Sequence, residues 1–205
     1  MELSAIEPRR HHMTALFLDG EYAVSVDTET VLQAGWKPGR EVSDEELHEL
    51  LRQSDAHRAK EKALYLLERR SHSKKELAEK IARTVPRAAA EEAAQKMEDL
   101  GLVNDADFAQ RFARELYRKG YAKRRVCWEL SRKGIAPQTA QQAAEQNERD
   151  AQEGIRSVLQ KRYRNLSDEK IRRRAAAALQ RLGYEYDDIR AAMRLYSINE
   201  DEQDD

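Results

Sequence analysis

Arg124, Arg125 and Arg132 are spaced so that, on a helix, their guanidinium groups lie roughly opposite the apolar pair Val126 and Leu130. They belong to a stretch, Phe108–Ile135, with nine basic residues: Arg111, Arg114, Arg118, Lys119, Lys123, Arg124, Arg125, Arg132 and Lys133. Only Glu115 and Glu129 oppose them there. A planar guanidinium donates paired hydrogen bonds to phosphate or carboxylate, so the chemistry on offer is recognition of an anion. The whole chain is nearly neutral, with 37 basic and 38 acidic side chains, so charge has been sorted along the sequence. A second basic stretch, 156–181, holds nine bases against Asp168 and Glu169.

Groups able to make or break bonds are sparse. The sequence has no Gly-rich phosphate loop, no Cys or His pattern with metal-ligand spacing and no nucleophile motif. His11 and His12 share no ligand spacing with His48, His57 or His72. Cys127 falls near the apolar side of its helix and reads as a structural thiol. The pairs Glu45-Glu46 and Asp187-Asp188 sit at helix starts, where the helix dipole accounts for them. The expectation is a protein that is not an enzyme, with no cofactor and no metal site.

The elements that must carry the basic residues are mostly helical. Apolar content is 40%, charged content 37% and aromatic content 6%, which suits long amphipathic helices with thin apolar stripes. Residues 1–13 read as a flexible tail. Residues 14–26 alternate around Asp19-Gly20 and predict a β-hairpin. Thr28–Ala34 is ambiguous between strand and helix, and Gly35–Gly39 breaks regular structure. Ser43-Asp-Glu-Glu46 is a capping box that opens a short acidic helix, closing a 14–55 segment.

Three helical units are expected after it, at 56–103, 104–147 and 148–198, followed by an acidic disordered tail at 199–205. The middle helices superpose at an offset of 49: Leu77, Val126 and Ala175 coincide, as do Ile81, Leu130 and Leu179. Basic positions repeat with them: Lys75, Arg124 and Arg173, then Arg83, Arg132 and Arg181, and Arg125 with Arg174. Lys170 joins that last face, and Arg111, Arg114 and Arg118 share one side of the preceding helix. A core accounts for recurring Leu and Ile but not for recurring Arg on the other side. These twelve cations are the candidate contacts for a partner or DNA. Trp128 lies between Arg124 and Arg132; with Glu79 and Ala177 at its equivalent positions, it reads as a packing residue.

With these residues in view, the chain resembles the RecX family of RecA regulators over about Leu16 to Met193. The likeness rests on Ser73-x-x-Glu76-Leu77, on Leu100-Gly101-Leu102-Val103-Asn104-Asp105-x-x-Phe108-Ala109, on Lys133-Gly134-Ile135 with Ala140, and on Leu179-x-x-Leu182-Gly183-Tyr184. The segment Asp27–Gly39 is similar to the family's leader. The first unit departs from the pattern, with Thr84-Val85-Pro86 where the family has a Gly turn. The resemblance implies a tandem array of three-helix repeats. It also implies binding to the RecA–single-stranded-DNA filament, and damping of strand exchange and of RecA's co-protease activity.

The fold class expected is therefore mainly α: three three-helix repeats, helix-turn-helix-like, with a small N-terminal β-hairpin region. The expected partners are the RecA filament, single-stranded DNA within it and, more weakly, free DNA, bound by a monomer. The alternative is a stand-alone helix-turn-helix-like DNA-binding protein. One cysteine, an N-terminus without an apolar core and no run near 18 apolar residues predict a cytoplasmic protein with no membrane contact.

Overall fold

The computed structural model describes residues 1–148, 150–163 and 166–201, with side chains through Arg194. It divides into two compact units, Met1–Asn104 and Asp105 onward.

The first unit opens with a three-stranded antiparallel sheet of order β1-β2-β3: β1 Leu3–Pro8, β2 Met13–Leu18 and β3 Glu21–Asp27. The expected hairpin is β2–β3, and Asp19 and Gly20 both take the positive φ of a tight two-residue turn. The expected flexible tail is instead β1. Leu3 is fully buried and pairs with Leu18, and its N–H donates to the Arg40 carbonyl at 2.8 Å. An added strand relieves the marginal stability of a lone hairpin. Thr28–Ala34 is helix α1, because the Asp27 carboxylate accepts the Thr30 N–H at 3.0 Å and caps it.

Helix α2 runs unbroken over Asp44–Arg69. The capping box at Ser43 forms as expected, with Glu46 reaching back to the Ser43 N–H at 3.0 Å. The expected short acidic helix is not separate: it and the first helix of the first repeat are one element. Its N-terminal half closes a core with the sheet through Leu50, Leu16, Val26 and Trp36. Its C-terminal half packs on α3 Lys74–Ile81 and α4 Arg87–Asp99 through Ala59, Ala63, Leu77, Ile81, Ala90 and Met97. Pro86 is the residue before α4.

The second unit holds two three-helix groups with separate cores. Helices α5 Asp105–Arg118, α6 Lys123–Arg132 and α7 Pro137–Gln146 enclose Phe108, Ala113, Leu116, Val126, Leu130 and Ala140. Helices α8 Ala151–Arg162, α9 Glu169–Leu182 and α10 Tyr186–Asp201 enclose Ile155, Leu159, Ala175, Leu179 and Ile189. Asp168 caps α9, accepting from the Lys170 and Ile171 N–H groups. The two groups are joined by backbone: the Ala122 N–H donates to the Leu182 carbonyl at 2.9 Å. Helix α10 continues through Asp201, so the expected acidic tail begins in helix, and residues 202–205 lie outside the described residues. No helix among the described residues is long and apolar enough to cross a membrane.

Candidate interface for an anionic partner

Helices α3, α6 and α9 occupy equivalent places in the three groups. Leu77, Val126 and Ala175 are all fully buried, and so are Ile81, Leu130 and Leu179. These six buried positions set the rotation of each helix, and rotation carries the cations outward. Lys75, Arg124 and Arg173 are exposed, as are Arg83, Arg132, Arg181, Lys170 and Arg174. In α5, Arg111, Arg114 and Arg118 are exposed as well. The buried stripe of Phe108, Ala109, Ala113, Leu116 and Tyr117 holds the other side of that helix.

The ends of the middle helices differ. In α6 the Gly134 N–H donates to Ser131 and the Ile135 N–H to Leu130; in α9 Gly183 and Tyr184 repeat this on Gln180 and Leu179. In the first group α3 stops at Ile81 without such a glycine, and Thr84 closes the turn onto the Ile81 carbonyl. Arg83 therefore lies in a turn, whereas Arg132 and Arg181 lie in helix.

Local partners divide the cations into classes. Lys75 lies 3.9 Å from Glu79, Arg124 lies 3.7 Å from Glu185, and Arg173 pairs with Glu169. These are exposed, solvent-screened pairs that add little stability and are easily exchanged for another anion. Among the described residues, no carboxylate lies within 4 Å of Arg83, Arg111, Arg114, Arg118, Lys170, Arg174 or Arg181. Arg111 and Arg114 instead fold back onto carbonyls of their own helix, Asp107 and Gln110, leaving guanidinium donors outward.

Arg125 stands apart from the other eleven. Its side chain is 33% exposed, its Nε is buried without a hydrogen-bond partner among the described residues, and its Nη2 donates to Glu129 at 2.7 Å. Its backbone packs against Gly183, which ties α6 to the end of α9. It is as much a joint as a contact.

The Trp128 ring is not buried, as a packing residue's would be. It is 47% exposed, and its ring lies under the Arg125 and Arg132 guanidinium groups at 4.0 and 4.7 Å. Sequence spacing alone missed Glu129, which holds both arginines; the signal was present as Glu129 four residues after Arg125 and three before Arg132. Cys127 is half-buried against the α5–α7 core, and burial pushes its thiol up. Among the described residues, no three His, Cys, Asp or Glu side chains are grouped to hold a metal ion.

Fold and surface together define a helical-repeat protein: three-helix groups with apolar inner faces and outward guanidinium groups. Comparison with known proteins gives the same architecture a family. The model of the RecX second three-helix domain matches residues 104–143, and that of the third matches 148–193. A regulatory protein RecX from Stenotrophomonas maltophilia is 36% identical over 137 residues, covering 65% of this chain and 84% of that protein. One from Bacillus subtilis is 30% identical over 196 residues, covering 91% and 73%. One from Caldanaerobacter subterraneus is 29% identical over 185 residues, covering 88% and 91%. A crystal structure of regulatory protein RecX shares the fold with a TM-score of 0.61 at 19% identity, covering 93% of this chain and 98% of that one. The chain belongs to the RecX family of regulatory proteins.

Proposed function

We propose that this chain binds the RecA–single-stranded-DNA filament as a monomer and restrains RecA's recombinase and co-protease activities. Family membership supports the target. One observation supports the mode of contact: exposed cations without carboxylate partners recur on the outer side of successive helical groups. A filament presents anions repeatedly, as DNA phosphates and as acidic side chains of its subunits. A repeat protein meets a repeating target with one unit per stretch, so individually weak contacts add. The units at about 56–103, 104–147 and 148–198 each supply a share. No bond-making chemistry is required of the chain; occupancy of the filament suffices.

RecA-dependent ATP hydrolysis on single-stranded DNA tests the reading. Adding the chain should lower the rate in a salt-sensitive manner. An unchanged rate at saturating protein would sink it. A combined Arg124→Glu, Arg132→Glu and Arg181→Glu variant, folded by circular dichroism, should inhibit about tenfold less strongly, from loss of several charge-assisted bonds. Undiminished inhibition would remove these residues from the contact.

A further inference from the structure

We infer that Tyr121, Arg125, Trp128 and Arg132 form a stacking platform for an unpaired base of single-stranded DNA. The four recur at i, i+4, i+7 and i+11, so they line one edge of α6 and of the turn before it. Their planar groups follow one another. The Arg125 guanidinium carbon lies 5.9 Å from the Tyr121 ring centre and 4.0 Å from that of Trp128, and the Arg132 carbon lies 4.7 Å from Trp128. Glu129 holds both cations through different oxygens, accepting from Arg125 Nη2 at 2.7 Å and from Arg132 Nη1 at 3.4 Å. Two long side chains are thus ordered before any ligand arrives, which lowers the entropy lost on binding.

The two ends of the ladder differ. The Arg125 end is closed, since that side chain is largely covered and its backbone meets Gly183. The other end is open: Arg132 is 61% exposed, beside the half-exposed indole. A run of alternating aromatic rings and guanidinium groups offers a place for one more planar π-system. Phosphates or protein carboxylates would need only the arginines. A nucleotide uses both parts, with its base against Trp128 and Arg132 and its phosphate near Arg124, which is 71% exposed. Only the middle group carries this device, because the positions equivalent to Trp128 are Glu79 and Ala177. One base is gripped there while the other groups hold backbone. The inference rests on the filament reading for the presence of single-stranded DNA, and adds the demand that bases be recognised as well as phosphates.

The test titrates the full chain with a dye-labelled thymidine oligonucleotide and with a dye-labelled abasic oligonucleotide of the same length, following dye anisotropy for affinity in every variant and, in the unaltered chain, tryptophan emission. Trp36 is only 8% exposed, so the change reports Trp128. The thymidine strand should quench the emission and bind about tenfold more tightly than the abasic strand. Trp128→Leu should lower thymidine binding to the abasic level and leave abasic binding unchanged, and Trp128→Phe should restore most of the difference. Equal quenching and affinity for both strands would overturn the platform, as would equal weakening of both by Trp128→Leu, or no binding of either strand. RecA-dependent ATP hydrolysis, measured in parallel, separates the two readings: inhibition that persists when the strands bind alike leaves the filament reading standing and removes the stacking site.

Discussion

Gly183 and Gly101 both adopt left-handed backbone, with φ of 95° and 71°, yet their surroundings differ. A Cβ at Gly183 would lie 2.7 Å from the Arg125 Cβ and 3.0 Å from its backbone nitrogen; at Gly101 nothing lies within 4 Å. Gly101→Ala should therefore cost only backbone strain, about 1 kcal/mol. Gly183→Ala adds a collision with backbone that cannot swing aside, and should cost about 2–4 kcal/mol. Chemical denaturation of the two variants measures the difference, and equal losses would mean that the α6–α9 approach is slack. His72 carries a second residue-scale expectation. Its ring is buried, Nδ1 lies 2.9 Å from the Arg70 carbonyl and donates to it, and Nε2 has no hydrogen-bond partner among the described residues. Burial, aided by Arg70, holds its pKa below the ordinary histidine value. The folded state thus binds the proton less readily than the unfolded chain. Stability from this group is full above about pH 6.5 and is lost as pH falls below it. A His72→Gln variant should show a flatter stability profile between about pH 5 and 7; an unchanged slope would assign the dependence to other groups.

Among the elements, α2 offers the sharpest test. Ala56 is exposed near the middle of the helix, so Ala56→Pro disturbs backbone and little else. It should cost about 3 kcal/mol or more if α2 is continuous, and almost nothing if the helix breaks there. Denaturant melts of the variant decide between the two. The break expected near residue 55 has a physical source. The acidic run ends near residue 55 in the sequence, but Ser54 faces the sheet from within the helix and its hydroxyl accepts the buried Asp27 N–H at 2.7 Å. His57 beside it lies 3.1 Å from Asp27 and 3.4 Å from Glu29. Polar residues that serve a tertiary contact look like punctuation in a single sequence. Strand β1 was illegible for a related reason: Leu3 is its one fully buried side chain, and the rest of its pattern is that of a sheet edge. The repeat was legible because Leu77, Val126 and Ala175 keep one inward position at a constant offset, which needs no knowledge of packing. Outward placement of the cations followed from it. Trp128 did not, because helical spacing gives an angle and not an environment.

At the scale of the whole molecule, if the proposed contact is with single-stranded DNA, binding strength should follow salt. In the second unit, Arg111, Arg114, Arg118, Lys170, Arg174 and Arg181 are exposed without carboxylate partners among the described residues. If all six displace counter-ions, the logarithm of the binding constant should fall with a slope of about −4 against the logarithm of salt. Each Arg→Ala change should reduce the slope by about 0.7. A slope near zero would turn the interface toward protein carboxylates rather than phosphate.

Helix α2 also has a geometric consequence for the N-terminal sheet. At 26 residues it is a rod about 39 Å long, gripped by the sheet core at one end and by α3 and α4 at the other. The sheet and the first helical group are therefore geared to one another in rotation, like two wheels keyed to one shaft. Adding one residue midway turns one wheel by about 100° against the other, whereas adding seven returns it to within about 20° of its starting phase. Length variation in this shaft is tolerable only in near-whole turns, because whatever the sheet touches must stay in phase with what the first helical group touches.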